Sequence, residues 1–288
     1  MKTQIELLKE FKIPIRGRIG QHLLVDPNIQ RKIVDLLTLK DGECVLEIGP
    51  GLGALTGIVL ERGGSVIAVE MDSRLCGVLN EIFPEEIKSG RLTIKNADIL
   101  ETDIPGLIAG AGKPVRQVVS NLPYYITGPI LAQVLPLRIF DRAVFMMQQE
   151  VAQRIFAAPG TREYGRLSLL VSFFSKARYA FDVTPGCFTP PPEVNSTVVA
   201  FDFHESLTTQ HVNETLLLDL VKAAFSQRRK KLISSLSRAN IWKLSRTVWQ
   251  EIFEATGLSA DARPEMLNPA EYMTLAKALD QRLNSQAP

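Results

Sequence analysis

Asn121-Leu122-Pro123-Tyr124 brings an amide, a proline-restricted carbonyl and an aromatic ring together in consecutive positions. It follows the apolar run Val118-Val119-Ser120, which reads as a buried parallel strand delivering its last residues to a cleft. That set suits a planar amine such as adenine. The side-chain oxygen of Asn121 can accept one amino hydrogen, and the carbonyl of Leu122 the other. Pro123 fixes its own φ and restricts Leu122, which keeps that carbonyl out of a helix. Tyr124 can stack on the base. The exocyclic nitrogen of adenine is a poor nucleophile because its lone pair is delocalised into the ring. What such a clamp offers is positioning toward an electrophilic methyl group. A base inside a duplex is out of reach, so the target has to be flipped out or already unpaired. The competing reading is an ordinary strand-ending turn.

A second motif reads as a nucleotide-binding loop. Glu47-Ile48-Gly49-Pro50-Gly51-Leu52-Gly53 follows an apolar run and opens a helical stretch. Glycines there allow a tight turn and a close approach of ligand to backbone. Glu70 closes the next apolar run about 20 residues on, where a carboxylate grips ribose hydroxyls. Gly49, Gly51 and Ala54 also satisfy the dinucleotide fingerprint, so an NAD enzyme competes. Asp98, in Asn96-Ala97-Asp98-Ile99, closes the third run, where its carboxylate can meet an adenine amino group. The glycine loop, Glu70, Asp98 and Asn121 then all fall at the carboxyl ends of neighbouring strands, where open sheets bind ligands. The set fits S-adenosyl-L-methionine better than NAD, whose enzymes have no obvious use for the tetrapeptide. Phe188, in Cys187-Phe188-Thr189-Pro190-Pro191-Pro192, is either the opposite face of the clamp or a buried loop anchor.

These residues need a sheet to hold them. Val45–Ile48, Val66–Val69, Leu92–Ile94, Val118–Val119 and Ala143–Met146 read as five strands. Amphipathic stretches at 55–62, 75–82 and 128–137 lie between them. The alternation predicts a parallel sheet with helices on both faces and right-handed crossovers. Segments 177–183 and 197–203, joined by a Pro-rich stretch, fit an antiparallel pair. Beyond about residue 210 the pattern is helical, with Leu216, Leu220, Phe225, Leu232, Ile233 and Leu236, then Trp249, Ile252 and Phe253, then Tyr272, Leu275, Ala276 and Leu279. The expected fold is α/β, with a Rossmann-like methyltransferase domain over 1–206 and a small all-helical domain over 207–288.

The 288 residues are 45% hydrophobic and 22% charged, ordinary globular values, and no apolar stretch reaches the length of a membrane span. The first residues lack a signal peptide's apolar core. Three scattered cysteines without a CxxC fit a reducing cytoplasm, and the three histidines have no metal-ligand spacing. Net charge is only +2, but it is unevenly placed. Lys9, Lys12, Arg16, Arg18, Arg31 and Lys32 crowd one end, and Arg228-Arg229-Lys230-Lys231 form a run near the other. Either cluster alone reads as a solvated helix face. Two flanking a base-binding cleft favour a polyanion.

Five ordered motifs carry a resemblance. They are Gly20-Gln21-His22-Leu23-Leu24-Val25-Asp26, Leu46 to Gly53, Asn121 to Tyr124, Tyr164-Gly165-Arg166-Leu167-Ser168 and Phe188 to Pro192. Together with Phe225-Ser226-Gln227-Arg228-Arg229-Lys230 they make the whole chain resemble the ribosomal RNA adenine dimethyltransferases, in particular those of the small subunit. The resemblance implies N6-dimethylation of two adjacent adenines near the 3′ end of 16S ribosomal RNA, on an immature 30S subunit, while the lack of an exposed heptad or strand-edge signal makes a monomer the expected state. It implies cofactor contacts at Gln21, His22, Leu24, Gly49, Gly51, Glu70, Asp98 and Asn121. It assigns catalysis to Asn121, Leu122, Pro123 and Tyr124, with Phe188 facing them, and the basic run Arg228, Arg229, Lys230 and Lys231 is the expected RNA contact. Ile19, His22 and Leu23 depart from the family's usual aromatic, Asn and Phe. His22 can still donate a hydrogen bond to the cofactor carboxylate, and this predicts weaker cofactor binding at high pH. A large-subunit methyltransferase of the antibiotic-resistance type and a non-enzymatic assembly checkpoint are the alternatives.

Overall fold

Strands covered on both faces are written as unbroken apolar runs, and the central sheet is built from such runs. The strands are β1 (Leu23–Leu24), β2 (Cys44–Ile48), β3 (Ser65–Glu70), β4 (Leu92–Asn96), β5 (Val115–Asn121), β6 (Arg142–Gln148), β7 (Ser175–Val183), β8 (Phe188–Thr189) and β9 (Ser196–Phe203). The helices are α1 (Gln4–Glu10), α2 (Pro27–Asp35), α3 (Ala54–Glu61), α4 (Ser73–Ile82), α5 (Pro84–Lys88), α6 (Ile104–Ala109), α7 (Thr127–Val134), α8 (Gln149–Ile155), α9 (Arg166–Phe174), α10 (Glu214–Ala224), α11 (Leu232–Ala239), α12 (Arg246–Thr256) and α13 (Pro269–Asn284). This computed structural model describes residues 2–13, 22–40, 42–203, 212–227 and 229–285. Two compact units emerge, one of residues 1–152 with 177–203 and one of 153–176 with 204–288.

In the first unit a seven-stranded sheet has the order β4-β3-β2-β5-β6-β9-β7. β4, β3, β2, β5 and β6 run parallel, and β9 lies antiparallel to β6. Every residue of β2 and β3 is buried. The chain builds outward from β2 through β3 to β4, then returns to β5 on the other side of β2. The carboxyl ends of β2 and β5 therefore flank the topological switch point, the crevice where open α/β sheets bind ligands. The mostly parallel sheet with antiparallel strands is the fold expected from the sequence. β7 and β9, expected as a pair, are neighbours at one edge. A two-stranded antiparallel ribbon of β1 and β8 pairs Leu23 with Thr189 and Leu24 with Phe188. It was not foreseen, because two-residue strands carry no periodicity.

Local signals fix the helix starts nearest the crevice. Asp26 caps α2 through the N–H groups of Asn28 and Ile29, with Pro27 in the first turn. Asp72 caps α4 through Arg74 N–H. On one side of the sheet, Ile33, Val34, Leu55, Val59, Leu79 and Phe83 join strand residues such as Val45, Val66 and Val119 in one core cluster.

The second unit is helical. α13 opens with a capping box of Asn268 and Glu271 and buries Tyr272, Leu275, Ala276 and Leu279. The Tyr272 hydroxyl donates to Pro264 O at 2.9 Å, and its ring stacks on Phe225 at 6.3 Å. The run expected from Leu216 to Leu236 is broken: α10 ends at Ala224, a 3₁₀ turn covers 225–227, and α11 begins at Leu232. The division also differs from the single boundary expected near residue 206. Segment 153–176 belongs with the helical unit, because α9 packs on α10 and α13 and the Tyr164 hydroxyl donates to Leu267 O at 2.9 Å. Among the described residues, no helix is long and apolar enough to cross a membrane.

Candidate cofactor and base-binding site

A cavity of about 730 Å³, its open mouth included, lies at the switch point. Gly49 and Gly51 after β2, Glu70 at the end of β3, and Asn121 through Tyr124 at the end of β5 line it, with His22 and Leu23 across from them. Gly49 has φ +66°, and a Cβ added there would meet nothing within 4 Å. Its backbone thus presents open space to a ligand, as a glycine cradle for a nucleoside cofactor requires.

Glu70 is 7% exposed and ties two walls together. Its Oε2 accepts the Gly51 N–H at 3.2 Å, and its Oε1 accepts the Asp72 N–H at 2.9 Å. Burial pushes its carboxyl above the ordinary value, against those backbone donors. Each oxygen keeps a lone pair for a ribose hydroxyl. Beneath the loop, Glu47 is fully buried, accepts a hydrogen bond from the Thr56 hydroxyl, and is pushed up to about 7, chiefly by burial.

At the other wall, the Asn121 amide donates from Nδ2 to the His22 carbonyl at 3.0 Å. A carbonyl can only accept, so this bond sets the amide's orientation and leaves Oδ1 as the acceptor for a substrate amine. Leu122 is 1% exposed and its N–H is held by Met146 O at 2.9 Å, anchoring the tetrapeptide to β6. Pro123 has φ −59° and ψ 127°, and its carbonyl accepts the Ile126 N–H at 3.2 Å. The hydroxyl of Tyr124 bonds Ser196 Oγ at 2.8 Å. Its ring stacks on His22 with centroids 5.5 Å apart and planes at 28°.

Other residues singled out from the sequence stand differently. Phe188 is 3% exposed, sits in the core cluster with Leu24, Val183 and Val198, and is absent from the cavity lining. Here it is the loop anchor and not the opposite face of a clamp, because the pairing of β8 with β1 turns its ring into the core. Leu24 is 3% exposed in the same cluster, and its neighbour Leu23 faces the cavity instead. His22 was expected to point at the cofactor carboxylate. His22 lines the cavity, and its Nδ1 donates to Pro190 O at 2.8 Å, which leaves Nε2 for a ligand. Asp98 caps a 3₁₀ turn through the Leu100 N–H at 2.9 Å and is not among the lining residues. Gln21, Ile19 and Arg228 lie outside the described residues. Ile13, Asp72, Arg74 and Leu75 line the cavity unforeseen. Asp72 was findable as a helix N-cap two residues after Glu70. Ile13 carries no local signal, because only tertiary structure brings it there.

The helical unit holds a second candidate surface. Gln227, Lys230, Ser234, Ser237, Arg238 and Arg246 line a groove, and none of them is acidic. Arg229, Lys230 and Lys231 are exposed. The basic run nonetheless divides, because Lys231 pairs with Asp261 at 2.8 Å while Lys230 joins Arg238 and Arg246. Among the described residues no cluster could hold a metal ion.

The model of the family "Ribosomal RNA adenine dimethylase" matches residues 14–281. "Ribosomal RNA small subunit methyltransferase A" of Alkaliphilus oremlandii is 36% identical over 98% of this chain and 98% of its own length. The protein of the same name in Chlamydia trachomatis is 36% identical over 95% of this chain and 97% of its own. Among solved structures, a dimethyladenosine transferase from Plasmodium falciparum aligns over 91% of this chain and 98% of its own with a TM-score of 0.74 at 24% identity. The 23S rRNA methyltransferase ErmE aligns over 90% and 100% with a TM-score of 0.60 at 24% identity. Both share the fold. A glycine cradle and an amide-presenting Asn-Leu-Pro-Tyr turn at one switch point, in a chain matched by that model along nearly its whole length, place the protein in the ribosomal RNA adenine dimethylase family.

Proposed function

We propose that the protein transfers methyl groups from S-adenosyl-L-methionine to N6 of two adjacent adenines near the 3′ end of 16S ribosomal RNA, giving dimethyladenosine. The observation that carries this reading is the shared cavity. It sets Gly49, Gly51 and Glu70 against Asn121 to Tyr124, in a chain 36% identical to proteins named small subunit methyltransferase A. The bound cofactor supplies an electrophilic methyl on a sulfonium sulfur. The protein's own residues do the rest by position. Glu70 and the loop at Gly49 and Gly51 hold the ribose and backbone-facing parts of the cofactor. Asn121 Oδ1 and the Leu122 carbonyl accept the amino hydrogens and aim the nitrogen's lone pair. Tyr124 offers its ring to the extruded base. Asn121 Oδ1 and the Leu122 carbonyl would hold the nitrogen while the bound donor gives up its methyl and leaves as the neutral thioether, and the amine proton passes to solvent.

We assign the RNA contacts to the helical unit, where Arg229 is exposed and its neighbour Lys230 lines the acid-free groove with Arg238 and Arg246. Immature 30S subunits in the cytoplasm are the substrate and a monomer is the acting species. The test is to incubate the protein with methyl-labelled cofactor and, in parallel, 30S particles lacking the modification and unmodified large-subunit RNA, then map dimethyladenosine by mass spectrometry. Two adjacent modified adenines near the 3′ end are expected. Label confined to large-subunit RNA would favour the resistance-type alternative, and binding without label would favour the checkpoint.

A further inference from the structure

α1 contributes no residue to the lining of the cofactor cavity, yet it is built against the cavity's loop. The helix is fixed at its start by a capping box between Thr3 and Glu6 and buries two side chains, Gln4 and Leu7. Leu7 clusters with Leu52, Leu75 and Val78, and Ile13 and Leu23 pack against that cluster. Ile13, Leu23 and Leu75 also line the cavity, so one small apolar cluster serves both α1 and the cofactor wall. Gln4 is the unusual member. It is 4% exposed, and its Nε2 donates at 3.3 Å to the carbonyl of Leu52, between Gly51 and Gly53. Its Oε1 has no hydrogen-bond partner. Leaving a buried amide oxygen unpaired is unfavourable, so an apolar side chain would serve packing alone better. What glutamine adds is the donor to the glycine-rich loop.

We propose that Gln4 is a positioning residue, holding the Leu52 carbonyl and with it the Gly49 to Gly53 turn in the form that receives the cofactor, so that docking of α1 and binding of S-adenosylmethionine are linked. The proposal rests on the cofactor assignment above. Linkage is reciprocal: if α1 favours cofactor binding, the cofactor must favour docked α1 by the same factor. A hydrogen bond of this kind corresponds to roughly a 5-fold change in affinity.

The experiment uses the full-length protein and S-adenosylhomocysteine as the binding probe. Gln4→Met keeps length and apolar volume and removes the donor. Calorimetry should show about 5-fold weaker binding of the probe, with the melting temperature of the unliganded protein unchanged or raised. In turnover assays the KM for S-adenosylmethionine should rise while kcat at saturation and the KM for 30S particles hold. In the wild type, the probe should slow amide exchange across residues 4–10, and in Gln4→Met this protection should shrink. If the wild type fails to bind the probe at all, the cofactor reading itself falls. If it binds, and Gln4→Met binds within twofold with the same α1 protection, the positioning role is overturned. A lowered melting temperature together with unchanged affinity would also overturn it, since that marks Gln4 as a structural residue.

Discussion

Asn121 is held by its own amide hydrogens. The bond from Nδ2 to the His22 carbonyl at 3.0 Å serves as tether and orienter, so one side chain fixes the β1 segment and presents Oδ1. Asn121→Ala removes both. Methyl transfer should fall by at least about 100-fold, the usual scale for losing an aligning group, while 30S binding holds. Cofactor affinity should drop by less than about 10-fold, the worth of a hydrogen bond or two. Filter binding beside single-turnover methylation separates these, and wild-type turnover would remove Asn121 from the chemistry. Glu47 makes a different prediction. Burial raises its carboxyl from 4.5 to about 7 in the native state, outweighing the Thr56 hydrogen bonds that favour ionisation. The native state therefore holds the proton longer than the unfolded chain does. Stability is highest below pH 4.5 on this account and falls as pH rises through about 7, by roughly 3 kcal/mol in all. Glu47→Gln can still accept from Thr56 and does not ionise. Its melting temperature should match that of the wild type near pH 4.5 and exceed it by several degrees at pH 8. Equal pH profiles for the two proteins would show that Glu47 ionises in the folded state at no cost.

The strands and the glycine turn carried most of what could be read from the sequence. Runs such as Val45 to Ile48 and Val66 to Val69 are legible because a strand buried on both faces has no polar alternation to obscure it. The switch point followed, since Gly49, Glu70 and Asn121 each sit at the end of such a run. Positions set by long-range pairing were not legible. Phe188 is turned inward by the β1–β8 ribbon, whose two-residue strands leave no pattern. His22 is claimed by the Pro190 carbonyl, 168 residues away. The helical unit's recruitment of 153–176 rests on contacts of α9 that no local signal announces. The glycine turn itself offers a stability test. Gly53 has φ +76°, and a Cβ there would meet Phe83 Cε2 at 2.6 Å and Leu79 Cδ2 at 3.0 Å. Gly53→Ala combines left-handed backbone strain of about 1–2 kcal/mol with overpacking of about 1–3 kcal/mol. Urea unfolding should register a loss of roughly 2–5 kcal/mol, and a loss under 1 kcal/mol would mean that α4 shifts to make room.

On the proposed function the two units would divide the labour between chemistry and RNA adhesion, and the charges are placed to suit that division. Net charge of +2 gives the whole molecule little attraction for a polyanion, so RNA affinity has to come from local arrangement. The groove of Lys230, Arg238 and Arg246 is such an arrangement, because no carboxylate lines it to neutralise the cations. Lys231 stands beside it in sequence but faces Asp261 at 2.8 Å. A cation that already holds a carboxylate releases fewer counterions on meeting a phosphate, and each phosphate contact contributes about 0.7–0.9 to the slope of log affinity against log salt. Arg238→Ala with Arg246→Ala should therefore lower the slope for 30S binding by roughly 1.4–1.8. Lys231→Ala should leave the slope within about 0.3 of wild type, although its formal charge loss matches that of either single arginine variant. Titrations of each variant between 50 and 200 mM salt decide the matter. Equal slope changes per charge removed, in both variants, would mean that only net charge acts and that the groove has no special part. Retained slope in the double variant would return Arg238 and Arg246 to the status of solvated helix-face residues. Cofactor binding serves as the internal control, since none of these side chains lines the cavity that holds Gly49 and Asn121.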